Sequence, residues 1–406
     1  MSDRKLPISQ LELVSLLAML SATVAFSLDA MLPALPQISD ALTPDSPNRV
    51  QLVIGSFVLG LGIGTFFTGA LSDAFGRRPI AVGGALVYCA AALVAAFSPN
   101  LETLLLARFV QGLGAAGPRV TAMAIARDLF SGRRMAQVLS YVIFVFTLTP
   151  VFAPSLGWAI AQVFGWRGIF ASFAVFSFIS VAWLLIRLPE TLPPENVRPF
   201  RPGKLMDGTR EILGNRRVVL ATLVQTLIFG TLFSALASSQ QVFEEVFERG
   251  TTFPLWFGLM AVLASFSNLI NARIVVTLGM REVVRRVLLI QGGFTLIYLA
   301  LQVTDTLPPA LAFPIGFLWY TSIFYLAGFG IGNMNALALE PLGHMAGLAA
   351  SIITACATIG AALLTVPIGL AFDGTILPLT FGVGVLVMIA LVVLRQLSED
   401  VAPASG

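Results

Sequence analysis

Long apolar blocks separated by short polar segments run along almost the whole of this 406-residue chain. Only 11% of its residues are charged, whereas about a quarter are charged in soluble domains. Each block is long enough for a helix to cross a bilayer and too long for a barrel strand. Because lipid offers backbone groups no partners, such segments must satisfy their hydrogen bonds internally. The sequence therefore predicts an all-α polytopic membrane protein.

Hydropathy predicts twelve spanning helices, six on each side of a polar centre. The predicted spans cover 10–36, 48–72, 79–98, 101–126, 135–163, 166–188, 216–242, 253–277, 283–303, 307–338, 344–371 and 376–396. The predicted units are a six-helix half over 1–188, a linker over 189–215, a second six-helix half over 216–396 and a tail over 397–406. Two such halves are typical of transporters that bind substrate between repeats at mid-membrane.

Lysine and arginine are distributed unequally between the two sides that these spans define. One side receives nearly all of them, including Arg4 and Lys5, and the other receives only Arg49, Arg167 and Arg249. By the positive-inside rule, both termini and the linker are expected to be cytoplasmic.

The linker is the longest polar stretch of the chain, LPETLPPENVRPFRPGKLMDGTREILGNRR over 188–217. Its prolines favour an extended, solvated tether. A short amphipathic helix on the membrane surface near 206–213 is the alternative.

Asp29 lies deep in the first apolar block, within AFSLDAMLPALP. A bare carboxylate in lipid is costly, so Asp29 is expected to face protein or a water-filled cavity. A carboxylate in a cavity that opens to either side in turn can take up a proton on one side and release it on the other. An Asp hydrogen-bonded between helices is the structural alternative.

Patterns typical of enzymes are missing from the sequence. It has no HExxH motif and no Walker A loop, and the lone His344 cannot complete a catalytic set or a metal site. Cys89 and Cys356 both fall inside apolar blocks and are expected to pack rather than to pair. We expect no enzymatic activity, no cofactor, no metal and no nucleic-acid partner.

The loop between spans 2 and 3 reads GALSDAFGRRPI and resembles the signature loop of the major facilitator superfamily. The matching positions are Gly69, Leu71, Asp73, Gly76, Arg77 and Arg78. The resemblance implies the major facilitator fold. Gly69 allows close helix approach and Gly76 a tight turn. This loop is expected to act as a conformational switch between the halves.

Charge pairs are expected to operate this switch. Asp73 can face the positive N-terminal end of a helix from the other half, and Arg77 can pair with Asp128 at the end of span 4. A degenerate copy stands at 271–286, where Gly279 and Arg281 correspond to Gly76 and Arg78. Val276 replaces the aspartate there, so the charged switch is expected in the first half only.

Span 4 carries Arg108, Gln111 and Gly112, which match the R-x-x-Q-G element of the same superfamily. Arg108 lies about 10 Å into the membrane at the usual helical rise. It need not touch Asp29, yet it can alter the proton affinity of that carboxylate across a shared cavity. Arg119 lies further along the same helix, and the sequence names no partner for it.

Span 5 contains FTLTPVFAPSLGWAI, in which Pro150, Pro154 and Gly157 resemble the antiporter element of Bcr/CflA-like drug exporters. An ordinary kinked helix is the alternative interpretation. LDAMLPALPQI in span 1 and GNMNALALEPLGHMAGLAAS after span 10 resemble stretches of the same branch. Glu340 and His344 in the latter are expected to cap the helix or to pair with the loop between spans 8 and 9.

The resemblance implies a monomeric, proton-coupled secondary transporter of the bacterial inner membrane that exports small amphipathic compounds, drugs and antibiotics among them, by alternating access. A dedicated carrier of a single metabolite on the same scaffold is the alternative. Asp29 and Arg108 are the proton-coupling candidates. The substrate-binding candidates are Asp29, Phe26, Tyr141, Phe144, Gln225, Phe229, Asn333 and Asn335.

Overall fold

The computed structural model describes residues 8–397, apart from the side chains at 133 and 136. Arg4, Lys5 and the predicted tail beyond 397 lie outside the described residues. The helices are α1 (Gln10–Asp29), α2 (Leu35–Leu42), α3 (Leu52–Phe75), α4 (Arg77–Ala96), α5 (Leu101–Leu129), α6 (Gly132–Arg187), α7 (Pro202–Gly214), α8 (Arg216–Gln241), α9 (Phe253–Leu278), α10 (Met280–Val303), α11 (Pro309–Leu339), α12 (Ala346–Leu370) and α13 (Leu377–Arg395).

These helices coincide with the predicted spans to within a few residues at most ends. The long helix α6 holds predicted spans 5 and 6, which meet at Gly165, where the backbone is non-helical with φ of 67°. Over the described residues, nine helical stretches are long and apolar enough to cross a membrane, and two of these stretches each contain two predicted spans. Helix α5 is not among the nine; its arginines and Gln111 make it less apolar than the others.

Helix α1 ends at Asp29 because the residues that follow cannot continue it. Pro33 lacks the N–H that would bond the carbonyl oxygen of Asp29 four residues earlier. The chain instead forms a short 3₁₀ turn over Leu32–Ala34 and then continues as α2. A break of this kind within an apolar segment leaves polar backbone groups beside Asp29.

Two helix pairs join the first half, before the linker, to the second half. Helix α3 packs along α12, and α6 packs on α9. Glycines permit the close approach: a Cβ on Gly62 would lie 2.7 Å from Ile359 of α12, and one on Gly258 would lie 3.0 Å from the carbonyl oxygen of Val151. The two halves therefore meet along two small-residue seams.

The bundle has two ends, which we name by their loops. The linker side carries the loop at Gly76 and helix α7, and the far side carries the turns Pro47–Gln51 and Val242–Val246. On the far side uncharged amides join the halves. Asn48 donates to the carbonyl oxygens of Phe372 (2.5 Å) and Leu370 (3.3 Å), and Gln51 donates to Gln241.

The linker is more structured than a plain tether. Helix α7 includes the predicted amphipathic segment, and its buried residues Leu205, Gly208, Thr209 and Ile212 share one face. That face packs on protein, since a Cβ on Gly208 would lie 2.7 Å from Leu348 of α12. Met206 and Leu213 are exposed on the other face.

Candidate functional site: a buried carboxylate and a charged loop

Asp29 is the last residue of α1 and is only 5% exposed. Within the part of the chain that the structure describes, no hydrogen-bond donor or ion-pair partner is found for its carboxylate. A buried ionised carboxylate without partners is strongly disfavoured, so the neutral form is the one that this position accommodates most readily. The structural alternative, an Asp hydrogen-bonded between helices, is not what these contacts show.

The residue after Asp29 is pressed against α6. A Cβ on Gly157 would lie 1.8 Å from the carbonyl oxygen of Ala30, so only glycine permits this contact. Pro150 and Pro154 precede Gly157 within the same helix. The antiporter-like element of span 5 is thus in contact with the break in α1 that holds Asp29.

Arg108 of α5 is fully buried and contacts α1 at Ser27, two residues before Asp29. Its guanidinium donates to the carbonyl oxygens of Ser27 (3.1 Å) and Val53 (3.3 Å) and to the side chain of Gln111 (2.8 Å). The Ser27 hydroxyl in turn bonds the hydroxyl of Tyr88 on α4. Backbone oxygens, rather than a carboxylate, therefore stabilise this buried cation.

Aromatic rings complete the surroundings of Arg108. Its guanidinium carbon lies 4.3 Å from the ring centre of Phe57 and 5.8 Å from that of Phe170. Gly112, which the sequence grouped with Arg108, packs against the backbone of Phe57, where a Cβ would lie 2.1 Å from the carbonyl oxygen.

Arg108 and Asp29 do not form an ion pair. This agrees with the sequence analysis, which did not require the two side chains to touch. Their connection runs through the Ser27 backbone, two residues before Asp29. Arg119 is half-buried, and among residues 8–397 no hydrogen bond or ion pair is found for its side chain.

The loop at Gly76 holds the charge pair that the sequence predicts. Arg77 lies 2.5 Å from Asp73 and 2.8 Å from Asp128, and this pairing of Arg77 with Asp128 is confirmed. Arg77 also donates to the Ser72 hydroxyl at 2.8 Å. Asp73 and the first turn of α12, at Gly347 and Leu348, line the same cavity.

Glu190 is a residue of this cluster that the sequence analysis missed. Its carboxylate accepts the backbone N–H groups of Arg77 and Arg78 at the start of α4, each at 3.0 Å. It also accepts those of Thr191 and Leu192, both at 2.9 Å. A single glutamate in a proline-rich linker gives no local signal of this role, because Arg77 and Arg78 lie more than a hundred positions away.

The loop at Gly279 repeats the backbone of the loop at Gly76. The φ and ψ angles are 99° and 158° at Gly76, and 80° and 154° at Gly279. The charges differ, as predicted: Val276 is 83% exposed, and Glu282 pairs locally with Arg285 (2.6 Å) and Arg286 (2.7 Å).

The substrate-binding candidates lie in different surroundings. Tyr141 and Phe144 are exposed, and Gln225 is buried. Phe229 stacks on Phe233, and Phe26 packs on Phe173. Asn333 and Asn335 differ from each other in their hydrogen bonds.

Asn333 is buried and donates to Asn271 at 2.9 Å, whereas the side-chain oxygen of Asn335 has no partner among the described residues. None of the eight candidates lines the large cavity on the linker side, so the structure does not bring them together there.

Glu340 stands at the C-cap position of α11, but the alternative prediction, that Glu340 and His344 pair with the loop between spans 8 and 9, was wrong. Glu340 pairs with Arg217 at the start of α8, and His344 lies 3.0 Å from Glu211 of α7. Because α7 folds back onto α12, the linker and not the loop at Gly279 is next to these residues.

Another missed feature is the far-side junction of amides. Besides Asn48 and Gln51, it includes Ser238, which donates to Gln51 at 3.1 Å, and Gln241, which donates to Asn48 at 3.3 Å. The polar sequence ASSQQ at the end of span 7 was the available signal.

The fold and these contacts define a membrane transporter whose two halves meet along helix pairs. The sequence model of the Major Facilitator Superfamily matches residues 16–365, and the chain belongs to that family. The family and the relatives named below are transporters.

Curated relatives cover nearly all of the chain. The Bicyclomycin resistance protein homolog of Haemophilus influenzae is 30% identical over 380 residues, or 92% of this chain and 93% of that protein. Multidrug resistance protein MdtL of Shewanella oneidensis is also 30% identical, with the same coverage. Among solved structures, a D-xylose-proton symporter superposes with a TM-score of 0.77 at 15% identity, covering 97% of this chain and 99% of that one, which supports the fold alone.

Proposed function

We propose that this chain is a proton-coupled secondary transporter that exports small amphipathic compounds, drugs among them. The relatives named for bicyclomycin and multidrug resistance support the substrate class. The observation that carries the proposal is the carboxylate of Asp29, which is buried at the break of α1 without a partner among the described residues.

Asp29 is proposed as the proton-coupling group. A carboxyl group held away from water and from counter-charges keeps its proton, and it releases that proton once water or a cationic group reaches it. Movement of α6 at Gly157 would alter the surroundings of Asp29 directly, because Gly157 touches Ala30. Changes in packing between the halves are thereby linked to the protonation of one residue.

Arg108 is proposed to position α1 and to contribute its charge. It holds the carbonyl oxygen of Ser27 and packs against Phe57, so it fixes the last turn of α1. Its buried positive charge favours the ionised form of a carboxylate that moves closer to it. Gln111 and Gly112 support this arrangement through the contacts described above.

Alternating access is proposed as rocking of residues 10–188 against residues 216–396. The amides on the far side join the halves, which favours a state closed on that side. The charge cluster at Gly76 lies within the first half and the linker, and Gly69 packs against Ser351 of α12. In the alternate state we expect Asp73 to engage the start of α12.

The linker side is proposed to face the cytoplasm of a bacterium, with both termini there and the protein in the inner membrane. The lysine and arginine distribution supports this orientation. Both seams, α3 with α12 and α6 with α9, form between helices of the same chain. A single chain is therefore proposed as the working unit. Substrate binding by Asp29, Phe26, Tyr141, Phe144, Gln225, Phe229, Asn333 and Asn335 remains part of the proposal.

Inverted membrane vesicles with an inwardly directed proton pump test the proposal. A panel of cationic, neutral and anionic drugs is added, and the pH gradient is followed by a fluorescent indicator. We expect some drugs to dissipate the gradient in vesicles that contain the chain and not in vesicles without it. If no drug does so, while folded protein is present, the panel is replaced by amino acids, peptides and sugars, and a response to one of these favours the single-metabolite carrier.

A further inference from the structure

A cavity of about 900 Å³ lies on the linker side, where three parts of the chain meet. The first half contributes the ends of α3 and α5, the second half contributes the start of α12, and the linker closes the cavity from 192 to 205. Its walls are therefore built by residues that are far apart in sequence. The cavity is lined by residues of the charged loop and by Asp128. It is not lined by any of the proton-coupling or substrate-binding candidates.

The cavity wall is strongly basic. Its cationic side chains are Arg77, Arg127, Arg198, Arg201 and Lys204, and its acidic side chains are Asp73 and Asp128. Both acids are paired with Arg77, at 2.5 and 2.8 Å. For the other four cations, no ion pair is found among residues 8–397, so their charge is not balanced by the protein that is described.

Hydrogen bonds to backbone carbonyl oxygens place two of these four cations. The N–H of Arg198 donates to the carbonyl oxygen of Asp73 at 3.0 Å, which fixes the linker to the end of α3. Arg127 lies at the end of α5, where its Nε donates to the carbonyl oxygen of Met123 at 3.3 Å. Like charges gathered around one cavity repel one another, and an anion within it would remove that repulsion.

We propose that this cavity binds a phosphate group, supplied by an anionic phospholipid headgroup or by a soluble phosphate compound. Arginine forks and a lysine ammonium are the side chains that recognise phosphate oxygens best. The bound group would join the linker to α5 and to the start of α12. It would thereby act on the same region that the charged loop occupies, as a regulator rather than as a transported substrate.

The test uses the purified full chain in a neutral detergent, with phosphatidylglycerol and phosphatidylcholine as lipid probes and inorganic phosphate as the soluble probe. Binding is measured by titration, with retained adducts counted by native mass spectrometry. The variant Arg198→Gln/Arg201→Gln/Lys204→Gln removes three charges from the cavity wall. The matched control, Arg134→Gln/Arg210→Gln/Arg216→Gln, removes three exposed charges on the same side that do not line the cavity.

We expect saturable binding of phosphatidylglycerol that weakens about tenfold or more in the cavity variant and changes little in the control. Competition by inorganic phosphate identifies a soluble phosphate compound as the source, and its failure to compete identifies the lipid. Arg127→Gln, on the opposite wall, gives the same test if the triple variant does not elute as a single species. Equal losses in both triple variants, or no saturable binding of either anion, would overturn the proposal.

Discussion

The loops at Gly76 and Gly279 occupy equivalent places in the two halves, and they share a backbone without sharing its chemistry. Both glycines have positive φ and end one long helix while starting the next. Around Gly76, buried Arg77 joins two aspartates, and Glu190 of the linker caps α4. Around Gly279, the half-buried Glu282 pairs locally with Arg285 and Arg286, whose side chains are exposed.

The difference shows which requirement belongs to the fold and which belongs to switching. A tight connection between two antiparallel helices needs a residue that tolerates positive φ, so glycine is required in both halves. Such a connection does not require the charge network, because the second half forms the same kind of connection at Gly279 without an aspartate. The network at Gly76 is therefore not explained by the helix connection alone, and we propose that it serves movement between the halves.

The largest effect on stability is expected from Gly76→Ala. Alanine would adopt a strained φ, and its Cβ would lie 2.6 Å from the Glu190 carboxylate, which would have to give up bonds to the start of α4. Loss of about 3 kcal/mol in the free energy of unfolding is expected. Gly279→Ala, where nothing lies within 4 Å of the new Cβ, should lose only about 1 kcal/mol.

Denaturant unfolding of the two alanine variants in detergent, followed by tryptophan fluorescence, makes this comparison. Equal losses of stability would contradict the role given to Glu190 at Gly76.

A smaller loss is expected from Glu190→Ala. The carboxylate accepts four backbone N–H groups, and water can replace some of these bonds because Glu190 is half-buried. We expect a loss of about 2 kcal/mol in the same measurement. The control Glu282→Ala removes only exposed ion pairs and should leave the unfolding curve unchanged. A shift of the curve for Glu282→Ala as large as that for Glu190→Ala would remove the distinction between the loops.

Asp128→Asn is expected to affect transport rather than folding. Arg77 keeps Asp73 as a partner, so the loop stays folded, but the pair that fixes it to α5 is weakened. Drug efflux from loaded vesicles should slow several-fold, while the drug concentration for half-maximal binding stays near that of the wild type. Loss of drug binding in this variant would instead place Asp128 in the substrate site.

The smallest effect is expected from Val276→Asp, which restores the missing aspartate to the second loop. Val276 is 83% exposed, so the new carboxylate is solvated and gains little from nearby arginines. Transport rate and stability should both match the wild type. A clear change in transport rate would show that the second loop can also act as a charged switch.

Hydropathy predicted the helices well because lipid forces every span to be long and apolar. The pairing of Arg77 with Asp128 was also predictable, since the two residues lie at span ends on the same predicted side of the membrane. Glu190 and the amides at Asn48 and Gln51 were not, because their partners lie far away in sequence. The contact between Gly157 and Ala30 depends on how α6 crosses α1, which neither helix alone encodes.

Proton release on drug binding is the most direct test of the role of Asp29. Purified protein is placed in weakly buffered detergent solution with a pH indicator, and a drug that it transports is added. We predict that the wild type and Asp40→Asn, which alters an exposed aspartate of α2, release protons as drug binds. Asp29→Asn should release no protons at a drug concentration that saturates its own binding. Proton release by Asp29→Asn equal to that of the wild type would contradict the assignment of Asp29 as the coupling group.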